Sequence, residues 1–107
     1  MPTELPDVQV IPNVTYTLVT DEELEKPYRV IIENDDVTPM EFVVVILRHF
    51  FGLTIDQSSA VMLEAHRNGR ALVATMAYHE AQERVYDAHS AAREAGYPLS
   101  FYLEPDQ

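Results

Sequence analysis

Tyr28-Arg-Val-Ile-Ile-Glu-Asn-Asp-Asp-Val-Thr-Pro-Met-Glu-Phe-Val43 is the stretch on which the fold turns. Its first six residues are rich in β-branched side chains and read as a strand. Asn34, Asp35 and Asp36 follow, which is turn chemistry. A helix start comes next. Thr38 reads as its cap, Pro39 suits the first helical position, and Glu41 completes a capping box. The continuation holds a conflict, because Phe42 to Leu47 runs Phe-Val-Val-Val-Ile-Leu, a strand by propensity alone. The cap signals, and the run on through Arg48, His49, Phe50 and Phe51 to Gly52, decide for a helix. Apolar nearly all round, that helix needs burial on more than one side.

Working outward, Thr54-Ile55-Asp56-Gln57 is a second capping box, opening a helix that ends at Asn68-Gly69. Arg70 to Thr75 reads as a short strand. From about Ala77 to Ala95 the pattern is helical, with Ala81, Val85, Ala88 and Ala92 on one stripe and Gly96 as the stop. Leu99, Phe101 and Leu103 alternate with Ser100, Tyr102 and Glu104, the pattern of a half-buried strand. The predicted order is β-α-α-β-α-β. It predicts an α+β fold in which a small three-stranded antiparallel sheet packs against three helices.

Upstream lies a different kind of segment. Glu4, Asp7, Asp21, Glu22, Glu23 and Glu25 give residues 1–25 a charge of −6 with no Lys or Arg. That leaves −5 for residues 26–107 (7 basic minus 12 acidic). Pro2, Pro6 and Pro12 interrupt the segment, and Pro27 follows it closely. One-sign charge and prolines predict an extended, mobile arm over 1–25 and a folded domain over 26–107. Val8, Val10, Val14, Tyr16 and Leu18 alternate, which leaves a short docked strand open as the alternative.

The chain has 107 residues, room for one domain. Seven Lys and Arg stand against 18 Asp and Glu, for a formal charge of −11. Such a surface repels phosphate, so neither nucleic acid nor an anionic membrane is an expected partner. It suits a cationic ligand or a basic patch. The absence of Cys excludes disulfide scaffolds and thiolate sites. No apolar run approaches the ~18 residues of a membrane span. No basic-then-apolar leader opens the chain, so a cytoplasmic protein is expected.

Catalytic chemistry has little to stand on. His49, His66, His79 and His89 make no paired-ligand spacing. Gly52, Gly69 and Gly96 sit at helix ends rather than in a phosphate loop. Ser58 and Ser59 fall in the first turn of a helix, not on a nucleophile elbow. The reading is a protein that is not an enzyme and needs no cofactor.

One constellation survives. Met40 and Val43 share a face of the first predicted helix, and Met62, Ala65 and His66 share a face of the second. If the two helices are neighbours, their apolar side chains line a groove with His66 at its edge. Asn34, Asp35 and Asp36 enter at the same edge. An amide oxygen, carboxylates and a neutral imidazole all accept hydrogen bonds from an ammonium group. Spacing alone leaves the bland reading open, with Met40, Val43 and Met62 as plain core and the acidic run as helix-start chemistry. It also leaves open a metal site on Asp35, Asp36 and His66.

The stretch from Tyr28 to Val43 closely resembles the ClpS family, adaptors of the Clp ATP-dependent protease. The match rests on Asn-Asp-Asp-x-Thr-Pro-Met-Glu-Phe-Val, a long and specific string. Met62-Leu-Glu-Ala-His66, Asn68-Gly69, the helix carrying Glu80-Ala81 and Arg84, and Tyr97-Pro-Leu99 follow in family order. The resemblance covers about residues 26–104.

It implies a non-enzymatic adaptor for proteins whose first residue is Phe, Leu, Tyr or Trp. It implies delivery to the N-domain of a ClpA- or ClpC-type AAA+ unfoldase. By the family pattern, Asn34, Asp36 and His66 hold the free α-amino group, with Asp35 close by. Thr38, Met40, Val43, Met62, Ala65 and Leu99 line the side-chain pocket. His79 and Arg84 stand where the family docks on the unfoldase. Two departures bear on this: Ala65 replaces a frequent Val, and His79 replaces a frequent Glu. The acidic arm occupies the place of the family's N-terminal extension. The competing reading is a docking domain of the same fold without N-terminal recognition.

Overall fold

A computed structural model describes residues 21–107. The predicted arm lies outside the described residues for 1–20. Its last five residues depart from the extended reading: Asp21–Glu25 is a short helix, α1. Glu and Leu are good helix formers, and α1 packs against the last helix of the chain, which gives it a support an isolated turn lacks.

The β-branched run forms strand β1, Pro27–Glu33. The helix argued from the cap signals is α2, Met40–Phe51, and the second capping box opens α3, Ile55–Asn68. Strand β2 is Arg70–Ala77, two residues longer than the sequence reading. Helix α4 is Tyr78–Glu94, and β3 is Ser100–Pro105. The sheet order is β2-β1-β3, with β1 antiparallel to both neighbours. As the central strand β1 is buried at Val30, Ile31 and Ile32. Ile32 lies between Ala71 and Phe101 across the sheet.

The three long helices provide the other layer. Val43, Ile46, Leu47 and Phe51 are the buried stripe of α2, which touches α3, α4 and β2. Burial on more than one side is what resolves the Phe42–Leu47 conflict, since hydrophobic contact from several elements outweighs β propensity. Val45 lies off the stripe and is exposed. Helix α4 buries Ala81, Ala88 and Ala92 completely; small side chains let it lie close to β1 and β3.

The two predicted capping boxes fare differently. At α3 both bonds form: Thr54 Oγ1 accepts from Gln57 N–H at 3.1 Å, and Gln57 Oε1 accepts from Thr54 N–H at 2.9 Å. At α2 no side-chain cap bond forms, and Pro39 occupies the cap position with extended backbone. The Thr38 hydroxyl donates instead to Asp35 Oδ2 at 2.9 Å. An ionised carboxylate is the stronger attraction for a hydroxyl donor, and Asp35 is within reach three residues upstream.

Candidate functional site

The site begins where β1 ends. Asn34 N–H donates to the Gly69 carbonyl at 2.9 Å, extending the strand pairing by one bond. Gly69 ends α3 in the left-handed region, φ 91°, with its own N–H returned to the Ala65 carbonyl. A side chain at that φ would be strained, so glycine suits the join. The bond ties the Asn-Asp-Asp turn to the last turn of α3, and so brings Asn34 and His66 to one rim.

Asp35 builds the turn. Its Oδ1 accepts from Val37 N–H at 2.9 Å and from Thr38 N–H at 2.7 Å, while Oδ2 takes the Thr38 hydroxyl. Burial pushes its carboxyl pKa upward. The Thr38 and Val37 donors and the Arg93 guanidinium more than offset that, and the net effect holds the group below its ordinary value. Both oxygens are therefore committed within the loop, and the loop is locked onto the start of α2.

Below this rim is a hollow of about 160 Å³. Val43 on α2, Ala65 on α3 and Leu99 just before β3 form a buried apolar floor. Met40 and Met62 stand higher, Met40 42% exposed at the mouth. Thr38, Asn34, Asp35, Asp36 and His66 complete the lining. Every hollow residue named from the sequence is thus present around one cavity. Leu99 is held there by Arg93, whose Nη1 donates to the Leu99 and Tyr97 carbonyls at 2.7 and 2.9 Å.

Two lining residues escaped the sequence reading, Ile32 and Glu33. The signal was available for Ile32, because the strand points it inward immediately before the turn. Arg93 also escaped it. Its contribution runs through backbone carbonyls on the far side of a glycine turn, and no local pattern marks such a contact.

Chemically the hollow has two halves. The floor favours an apolar group of modest size. The rim offers the Asn34 amide, the Asp36 carboxylate and the His66 imidazole, none of which has a side-chain partner among the described residues. Acceptors left open around an apolar cavity suit a cation that carries an apolar substituent. Asp35, Asp36 and His66 do not converge as metal ligands: no group of three His, Cys, Asp or Glu among the described residues is arranged to hold an ion.

His79 and Arg84 lie apart from the hollow, on α4. His79 Nδ1 is 3.4 Å from the Leu24 carbonyl and 3.8 Å from the Glu25 carboxylate of α1. Arg84 donates from Nε and Nη2 to Glu80 Oε2 at 3.0 and 2.8 Å, and from Nη1 to the Phe50 carbonyl at 2.9 Å. Arg84 is therefore fixed between α4 and α2, with its charge offset by Glu80. Among the described residues no helix is long and apolar enough to cross a membrane.

Comparison with known proteins identifies the family. Residues 23–102 match the family model of the ATP-dependent Clp protease adaptor protein ClpS. The Clp protease adapter protein ClpS 2 of Mesorhizobium japonicum is 42% identical over 85 residues, spanning 79% of this chain and 84% of that protein. ClpS 1 of Rhodopseudomonas palustris is also 42% identical over 85 residues, 79% of this chain and 82% of the relative. Among solved structures, Agrobacterium tumefaciens ClpS2 bound to L-phenylalaninamide is similar, with a TM-score of 0.74 and 40% identity. That superposition covers 77% of this chain and 99% of the other. The chain belongs to the ClpS family, and is an adaptor of the ATP-dependent Clp protease rather than an enzyme.

Proposed function

We propose that the chain binds proteins by a free N-terminal residue that is large and apolar (Phe, Leu, Tyr or Trp). It then delivers them, in the cytoplasm, to the N-domain of a ClpA- or ClpC-type AAA+ unfoldase. The observation that carries this reading is the acceptor set of Asn34, Asp36 and His66, without side-chain partners among the described residues, on the rim of an apolar hollow. The ligand of the A. tumefaciens relative, L-phenylalaninamide, has the matching two halves, an amine next to a benzyl group.

Magnitudes explain why both halves are needed. Burying one apolar side chain contributes about 1.5–3 kcal/mol and selects any greasy group. Hydrogen bonds to a charged group add about 1.5–3 kcal/mol, and an internal amide nitrogen cannot make them. Discrimination in favour of chain ends comes from requiring the two together. In this reading Asp35 contributes indirectly, by fixing the loop that carries Asn34 and Asp36. Met40 at the mouth acts as a wall, flat enough in contact for aromatic and Leu side chains and too close for branching at Cβ. Ala65, smaller than the Val frequent in the family, deepens the floor and eases Tyr and Trp.

Titration with peptides beginning Phe, Leu, Tyr or Trp tests the reading. Binding is expected for the free peptides and is lost when the terminus is acetylated. Equal affinity for the blocked and free forms would overturn it. No binding of either, with an unfoldase N-domain still bound, would mark a docking domain without N-terminal recognition.

A further inference from the structure

Helix α2 buries Val43, Ile46, Leu47 and Phe51 on one side. At 3.6 residues per turn the opposite side carries Glu41, Val45, Arg48, His49 and Gly52, all exposed. None of the five lines the hollow. Val45 is 57% exposed. Folding alone does not favour it there, because a β-branched residue is a poorer helix former than Ala, Glu or Lys. Nor does it stand alone: with Arg48, His49, Gly52 and Leu53 it lines a shallow groove along the end of α2.

The charges on this side are placed so that the helix itself cannot pair them. Glu41 stands one turn before Val45, and Arg48 and His49 one turn after it. Seven positions separate Glu41 from Arg48, about 10 Å along the axis, beyond the reach of i, i+4 pairing. Neither has a hydrogen-bond or ion-pair partner among the described residues. Arg29 and Arg84, by contrast, are paired with Glu104 and Glu80.

These positions are symmetric about Val45. A second copy laying its own α2 antiparallel across the first, with the crossing at Val45, sets Glu41 of each copy opposite Arg48 and His49 of the other. The two Val45 side chains then meet on the two-fold axis. Glu41, Val45 and His49 form an i, i+4 row, a ridge of the kind by which helices pack. Charge favours a second copy in another way. Chains of net charge −11 repel one another over most of their surface, and this row, with one carboxylate against a guanidinium and an imidazole, is a place where they approach without that repulsion.

We infer that the outward row of α2 is the seam of a two-fold homodimer, closed by Val45 against Val45 and by two reciprocal Glu41–Arg48 ion pairs. The seam uses no hollow residue, so one dimer presents two hollows.

Sedimentation equilibrium of the full-length chain over a concentration series tests this. Wild type is expected to form a reversible dimer. Glu41→Arg sets Arg against Arg across the seam, and Arg48→Glu sets Glu against Glu, so each variant alone is expected to dimerise about tenfold more weakly or worse. An equal mixture of the two variants restores opposite charges at both ends and is expected to form a heterodimer within about twofold of the wild-type affinity. Val45→Glu is expected to abolish the dimer. Circular dichroism checks that each variant is folded, as solvent-facing substitutions should be. A wild type that stays monomeric up to about 1 mM overturns the inference. So does a dimer that all three variants leave within about twofold, or a mixture that associates no better than either variant alone.

Discussion

Asp36 and Asp35 are adjacent acids with different work to do. Asp35 has both oxygens occupied by Val37 and Thr38, while Asp36 faces the hollow without a partner among the described residues. In the proposed reading, removing Asp36 takes away a charged acceptor for the bound amine. Asp36→Ala is therefore expected to weaken N-terminal Phe peptides by roughly tenfold or more, on the scale of a charge-assisted hydrogen bond. Glu104→Ala is the comparison, because Glu104 pairs with Arg29 at 2.7 Å on the sheet and does not line the hollow. Comparable losses in the two titrations would remove Asp36 from the amine site. The wall at Met40 makes a separate prediction. Met40→Ala is expected to admit peptides beginning Val or Ile, which wild type is expected to reject. Unchanged selectivity across the peptide panel would show that Met40 sets no limit.

At the scale of elements, α4 is joined to β3 through His89, whose Nε2 accepts the Phe101 N–H at 2.9 Å. An imidazole accepts only when that nitrogen is unprotonated. Burial, and then the Arg93 charge, hold the His89 pKa below its ordinary 6.5. The unfolded chain consequently takes up this proton more readily than the folded one. The contribution to stability is fully present above about pH 6.5 and is lost as pH falls through the lowered folded value. His89→Gln keeps an acceptor and removes the titration. Thermal melts at pH 7.5 and 5 are expected to show a smaller fall for His89→Gln than for wild type, by on the order of 1 kcal/mol. Parallel falls would mean that His89 does not carry the pH dependence.

These same elements show what was legible in the sequence. The strand, turn and helix from Tyr28 to Val43 were readable because their signals are local: β-branching, an Asx-rich turn and a Pro at the helix start. The hollow was readable in outline because helical spacing puts Met40 with Val43 and Met62 with His66. Thr38 was misplaced as a cap because its hydroxyl could either accept from a helix N–H or donate to the Asp35 carboxylate, and a pattern does not rank the two. The clasps from Arg93 to the Leu99 carbonyl and from His89 to Phe101 were not readable at all. They join segments that meet only after the sheet has formed, and their acceptors or donors are backbone groups common to every residue. Helix α1 was hidden for a related reason: five acidic and apolar residues have no helical stability of their own, and α4 supplies it.

At the scale of the molecule, a delivering adaptor must hold substrate and unfoldase together. The hollow opens where β1 ends and α2 begins, with α3 on its other side. His79 and Arg84, where the family resemblance implies unfoldase docking, lie on α4 and do not line the hollow. A physical link runs between that helix and the hollow: Arg93 in the last turn of α4 holds the Leu99 carbonyl, and its charge reaches Asp35. That clasp sits at the opposite end of α4 from α1 and His79, and the packed core between is not continuously deformable. The two binding events are therefore expected to be independent. The affinity of an N-terminal Phe peptide, measured by anisotropy with saturating unfoldase N-domain and without it, should agree within about twofold. A tenfold difference, about 1.4 kcal/mol of coupling, would show that the α4 surface acts on the hollow. Arg93→Met, which keeps an unbranched stem but removes the Nη1 donor to both carbonyls, would then abolish the difference if the clasp is the conduit.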